Sequence, residues 1–273
     1  MDEQHDVIAE LGDAGVLAGV RWAYESATRR ALESYSEADG HDAAWLGNTR
    51  FTLFRDRLDR VFACDRYAAS AADGLDLDVL YAELSDQDLM TMPRLLPGLV
   101  RRCDLRGSAG WGYRGWRFLL ASCEFGGLDT LPWVHKSTTK QLVALQRDPR
   151  VRQPSLFETL LAETLLDTDG APEASGGIDV ALLAADRELD LVTYVVAHSL
   201  EAFSGEVELV LGRPRLNLGG GPAWHWYQDL LSVPLPGTGR RTDAGQVPAD
   251  PSGVPDAPVR LRRLAGGRSD AAR

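Results

Sequence analysis

Two lysines four residues apart, Lys136 and Lys140, stand out in a chain of 273 residues whose other 27 basic side chains are arginines. They bracket Ser137 and Thr138 in the run HKSTTK. Hydroxyls and ammonium groups there sit at what reads as the start of a helix. The unpaired N–H groups of a first helical turn, with cations beside them, suit a phosphate or a carboxylate. The run does not complete a phosphate-binding loop, whose glycines would have to stand at Thr130 and His135. Arg101, Arg102, Arg106 and Arg114, upstream in a glycine-rich stretch, are the candidate partners for the same anion. The plainer reading of residues 136–140 is a capped surface helix.

Other combinations fall short of a complete motif, and no catalytic residue is assigned. Gly110, Gly112 and Gly115 match the spacing of a dinucleotide-binding loop, but that loop must lead from a strand into a helix. Here Trp116 and the residues after it read as a strand, so the glycines read as a hairpin turn. Ser108 lacks the glycine two positions earlier that a nucleophile elbow needs. His41–Asp42 could open a metal phosphohydrolase site, yet His5, His135, His198 and His225 are scattered without ligand spacing. Neither a metal nor a cofactor is expected, and Asp42 reads as a helix cap. His198 lies on the apolar face of a strand and reads as a satisfied core or interface histidine rather than a catalytic base. Asp190, Glu201, Glu206 and Glu208 could gather as a two-metal carboxylate cluster, although strand edges carry glutamate routinely. Trp224, His225, Trp226 and Tyr227 follow a glycine run. They read either as a stacking platform for a base or peptide or as a pin for the last ordered segment.

The elements that must position these residues follow from periodicity. Residues 14–36 predict an amphipathic helix after an acidic lead-in, and residues 43–64 a second, capped by Asp42. The stripe of the second is Trp45, Phe51, Phe54, Leu58, Val61 and Phe62. Arg50, Arg55, Asp56, Arg57, Asp59 and Arg60 are expected to be solvated or paired. A further helical piece is expected near 79–84, and Ser85 with Asp88 spells a capping box. Strands are expected at 98–106 and 116–125 about a glycine turn, and again at 191–200 and 206–211. Ser137 should cap a helix over 138–146, with another helix over 155–166 and a surface loop over 167–178. Residues 233–273 contain no aromatic residue and 6 of the 14 prolines, and read as a disordered tail.

The fold expected is α+β: an N-terminal helical hairpin packed on a mainly antiparallel sheet of two β-hairpins. The divisions are 1–92, 93–232 and the tail, with the first two open to being one domain. A hydrophobic fraction of 44% excludes disorder throughout. A net charge of −11 argues against wrapping of nucleic acid. No apolar run is long enough to span a membrane and no signal pattern precedes the first helix, so a cytoplasmic chain is expected. Three cysteines without a CxxC fit a reducing compartment. The preference for arginine, alanine and glycine reads as a bacterial composition. The function expected is a cytosolic bacterial binding or adaptor protein with a protein partner or a homo-oligomeric state. The alternative is an enzyme or sensor for a phosphorylated ligand, a nucleotide or nucleic acid.

Overall fold

The computed structural model describes residues 2–68, 80–146, 189–202, 204–217 and 220–232. It is α+β, with helices laid on a six-stranded, mostly antiparallel sheet. The helices are α1 (Glu3–Asp13), α2 (Val16–Glu33), α3 (Ala43–Val61), α4 (Asp86–Thr91) and α5 (Thr138–Ala144). The strands are β1 (Arg101–Arg102), β2 (Gly110–Tyr113), β3 (Trp116–Ser122), β4 (Val192–Leu200), β5 (Val207–Pro214) and β6 (Trp224–Asp229). Strand order follows sequence order, and every pairing is antiparallel except β3 with β4. The expected helix over 155–166, loop over 167–178 and tail over 233–273 lie outside the described residues; of the helical piece expected near 79–84, residues 80 and 81 are helical and 82 and 83 form a turn.

Local signals placed several boundaries. Asp42 accepts a hydrogen bond from the Trp45 N–H at 2.7 Å and starts α3. Ser85 and Asp88 form the reciprocal capping box of α4. Asp88 then accepts from Arg29 at 2.6 Å, and its carbonyl accepts from the Trp22 indole at 3.1 Å, which ties α4 to α2. The acidic lead-in is not a lead-in but α1. Val7, Ile8 and Leu11 bury one side of it, and Gly15 (φ 77°) separates it from α2. Glu3 of α1 accepts from Arg213 at 3.0 Å, from the Trp226 indole at 2.8 Å and from the Tyr194 hydroxyl at 3.2 Å, which fastens the helix to the sheet.

The sheet is buried on both faces. Phe118, Leu120, Tyr194, Val196, Leu209 and Leu211 pack toward α1–α3. Leu119, Ala121, Val195, Ala197 and Val210 pack toward Trp133, Val143 and Ala144 on the other side. One core therefore holds the N-terminal helices together with the strands.

The glycine stretch differs from the expected turn. Gly110 and Gly112 belong to β2, and the reversals are at Arg106–Gly107 and Arg114–Gly115, where both arginines take left-handed backbone angles. Glycine is needed at 110 because a Cβ there would lie 2.4 Å from the Cys103 carbonyl oxygen and 2.9 Å from Leu119. The spacing that imitates a nucleotide loop is thus set by strand packing. Gly110→Ala should destabilise the protein by about 2–4 kcal/mol, read as a lower urea midpoint. The same change at Gly115, where a Cβ meets nothing within 4 Å, should be nearly silent.

Candidate functional site

Near the carboxyl ends of the parallel pair β3 and β4, Arg50 and His198 carry buried polar atoms without a hydrogen-bond partner among the described residues. Ser122 stands opposite His198 in the register, and the Cys123 N–H donates to the His198 carbonyl at 3.1 Å. α2 and α3 cover this end from one side, and the segment Trp133–Ala144 approaches it from the other.

Arg50 is the unusual member. Leu46, Arg50, Phe54 and Leu58 recur every four residues and are all buried, so the arginine occupies a position in the apolar stripe of α3. It is 4% exposed. Its Nη1 donates to the Tyr24 hydroxyl at 3.5 Å, its guanidinium lies 5.8 Å from the centre of the Tyr24 ring, and its Nε has no partner. Among the described residues it makes no ion pair. Arg57 and Arg60 are equally buried but share Asp56 at 2.7 and 2.8 Å, as the sequence expectation of paired charges requires. Arg50 departs from that expectation: it is neither solvated nor paired with a carboxylate. Burial holds its pKa below the usual arginine value, with Tyr24 acting in the opposite sense.

Tyr24 donates in turn to the Ser199 carbonyl at 2.5 Å, and burial raises its phenol to about 12 despite Arg50 beside it. His198 lies among Tyr24, Phe54 and Phe51, with ring centres 5.8, 5.3 and 6.3 Å away. It is fully buried, and neither ring nitrogen has a hydrogen-bond partner among the described residues. It is therefore not the satisfied core histidine that the sequence leads one to expect. Burial, then Arg50, Lys140 and Lys136, hold its pKa well below the ordinary histidine value, so the ring is neutral.

Lys136 and Lys140 are both half-buried here. The Lys136 ammonium donates to the Ser122 carbonyl at 2.7 Å. Lys140 has no ion pair among the described residues, and burial followed by Lys136 lowers its pKa. Glu208 is the nearby carboxylate, but it accepts from the Ser199 hydroxyl at 2.5 Å and from the Gly126 N–H at 3.1 Å. Ser137 occupies the N-cap position of α5 without the side-chain cap bond expected of it, and Thr138 opens the helix. α5 has seven residues, so its contribution is the two lysines rather than a long dipole.

The other expected anion partners lie elsewhere. Arg102 pairs with Asp59 at 2.7 Å and Asp104 at 2.6 Å and covers Trp111. Arg114 pairs with Glu10 at 2.7 Å, at the opposite end of β3, and Arg106 sits in the turn before Gly107. Asp190 pairs with Arg117 at the start of β4, whereas Glu201 follows its end, so the suggested carboxylate cluster does not assemble. Among the described residues no group of three or more His, Cys, Asp and Glu could hold a metal ion, and no helix is long and apolar enough to cross a membrane.

The aromatic run forms β6, a strand that sequence reading took for a platform or a pin and did not place in the sheet. Trp224 donates to the Leu128 carbonyl at 2.8 Å and meets Trp133 edge to face at 5.1 Å. Tyr227 donates to Asp129 at 2.8 Å. Trp224, His225, Trp226 and Tyr227 also line an open cavity of about 560 Å³ with Gln4 and Pro222. Compared with known protein families, curated proteins and solved structures, the chain matches none of them.

The Cys123 thiol near the cationic cluster is a poor nucleophile. Burial, then Glu208, raises it to about 11, and Lys136 and Arg50 only partly oppose this. Its alkylation by iodoacetamide at pH 8 should run roughly a hundredfold slower than that of a free thiol. The rate should climb with pH toward about 11, followed by mass spectrometry of the Cys123 peptide.

Proposed function

We propose that this protein binds a phosphorylated small ligand at the carboxyl ends of β3 and β4, as a sensor or an enzyme for that ligand. One observation carries the reading. Arg50 is a buried guanidinium without a carboxylate among the described residues, held in the stripe of a core helix. An uncompensated buried cation costs several kcal/mol, which an arriving anion would offset. Lys136 and Lys140 add two further positive charges whose field reaches the same histidine. Three cations suit a phosphate dianion better than a single carboxylate, and arginine with lysine is a common pairing for phosphate. Open α/β sheets also receive ligands beyond the carboxyl ends of parallel strands, a fold-level analogy that favours the same place.

A second reading is a binding or adaptor protein that works through a protein partner or a second copy of itself. It is supported by Met90 and Leu96, 80% and 75% exposed, and by the aromatic cavity beside β6. In that reading Trp224 and Trp226 anchor the strand and Tyr227 faces the partner. A bacterial, cytoplasmic setting is part of either proposal and rests on composition alone.

Thermal unfolding with phosphate, sulfate, mononucleotides and short oligonucleotides separates the two. A ligand at a hundred times its Kd should stabilise by about 2.7 kcal/mol, raising Tm by roughly 5–10 °C. Lys140→Met should remove most of that rise without lowering the Tm of the free protein. No shift with any phosphate or sulfate compound, together with a stable homo-oligomer in sedimentation, would overturn the first reading and favour the second.

A further inference from the structure

We propose that His198 is the proton-coupled member of this site, neutral in the free protein and protonated when an anion docks among Arg50, Lys136 and Lys140. The inference rests on the anion-binding reading above and adds to it a mechanism of regulation by pH. The geometry is what sets His198 apart. The ring is fully buried, both nitrogens are without partners among the described residues, and three aromatic rings exclude water from its flanks. A buried imidazole ordinarily gives at least one nitrogen to a carbonyl, a carboxylate or a water. Here the groups acting on it are cations, which can neither accept its N–H nor welcome its charge.

The charged and titratable groups around it come from every neighbouring element. Tyr24 belongs to α2, Arg50 to α3, Cys123 to the residues after β3, Lys136 and Lys140 to the segment that carries α5, and Glu208 to β5. The phenol and the thiol are both pushed up by burial, so they stay protonated through the neutral range. Glu208 is held by Ser199 and Gly126. A bound dianion changes the balance in two ways. It cancels much of the cationic field that keeps the ring neutral, and its oxygens supply an acceptor for a ring N–H. Both effects raise the histidine pKa in the complex relative to the free protein. The sign then follows: the complex holds more protons than its parts, so binding tightens as pH falls through the pKa of the complex and weakens as pH rises above it.

Sulfate is the probe for the test, because it stays a dianion throughout the range in which phosphate titrates. Its binding to the full chain is measured by calorimetry between about pH 5.5 and pH 8, in buffers of different ionisation enthalpy. The expected result is affinity falling by up to about tenfold per pH unit, with uptake approaching one proton per sulfate. His198→Gln should bind sulfate with a flat pH profile. Should that variant fail to fold, the His198 ring signals of the wild type, followed by NMR with and without sulfate, identify the group that takes up the proton, and a ring that stays neutral in the complex would overturn the proposal. Sulfate binding without pH dependence or buffer-dependent heat would overturn the proposal while leaving the anion site standing. A His198→Gln variant that keeps the full pH dependence would also overturn it, assigning the proton to Lys140. If neither sulfate nor phosphate binds at any pH, the anion-binding reading falls and this inference falls with it.

Discussion

The parallel pairing of β3 with β4 is the constraint on which the other elements depend. Parallel neighbours cannot be joined by a tight turn, so the chain must leave the sheet after Ser122 and return before Val192. Strands paired in this way are usually covered on both faces, and here they are. Phe118, Leu120, Tyr194 and Val196 require the layer of α1–α3, while Leu119, Ala121, Val195 and Ala197 require the layer that contains Trp133 and α5. Burying one large apolar side chain contributes roughly 1.5–3 kcal/mol, so neither layer is dispensable. Side chains from distant parts of the sequence meet near the carboxyl ends of these two strands.

The convergence explains why the site joins groups that no local motif would link. Tyr24 and Arg50 come down from the helices, Lys136 and Lys140 come across from the opposite layer, and His198 rises from the sheet itself. The same region has its own carboxylate, Glu208, whose Oε2 accepts from Ser199 and Gly126 and which makes no ion pair with Arg50 or the lysines among the described residues. Elsewhere among the described residues the buried arginines have a carboxylate: Asp56 serves Arg57 and Arg60, Asp190 serves Arg117, and Glu3 serves Arg213. Against that habit Arg50 has Tyr24 but no carboxylate among the described residues, and the proposed site rests on that contrast.

Features governed by neighbouring residues were legible in the sequence. The Asp42 cap, the Ser85–Asp88 box and the β4–β5 hairpin depend on spacings of a few residues. The contrast of two lysines against a background of arginine singled out the same two lysines that the proposed site uses. What depended on distant contacts was not legible. β2 looked like a turn because Gly110 answers to the carbonyl of Cys103, a contact invisible before β1 and β2 are paired. Arg102, Arg106 and Arg114 are near the lysines in sequence but belong to the outer strands and their turns. Arg50 looked like an outer-face charge because side-chain type was weighed above position. Its place between Leu46, Phe54 and Leu58 was the signal that could have found it.

The most direct measurement is the stability of Arg50→Met in buffer free of multivalent anions. Methionine keeps the length and apolar stem of the side chain and removes the charge. A guanidinium held for an incoming anion predicts that the variant unfolds at a urea midpoint equal to or above that of the wild type, and that sulfate no longer stabilises it. A loss of about 3–5 kcal/mol, the size expected when a buried charge pair loses one partner, would contradict this and make Arg50 a structural residue.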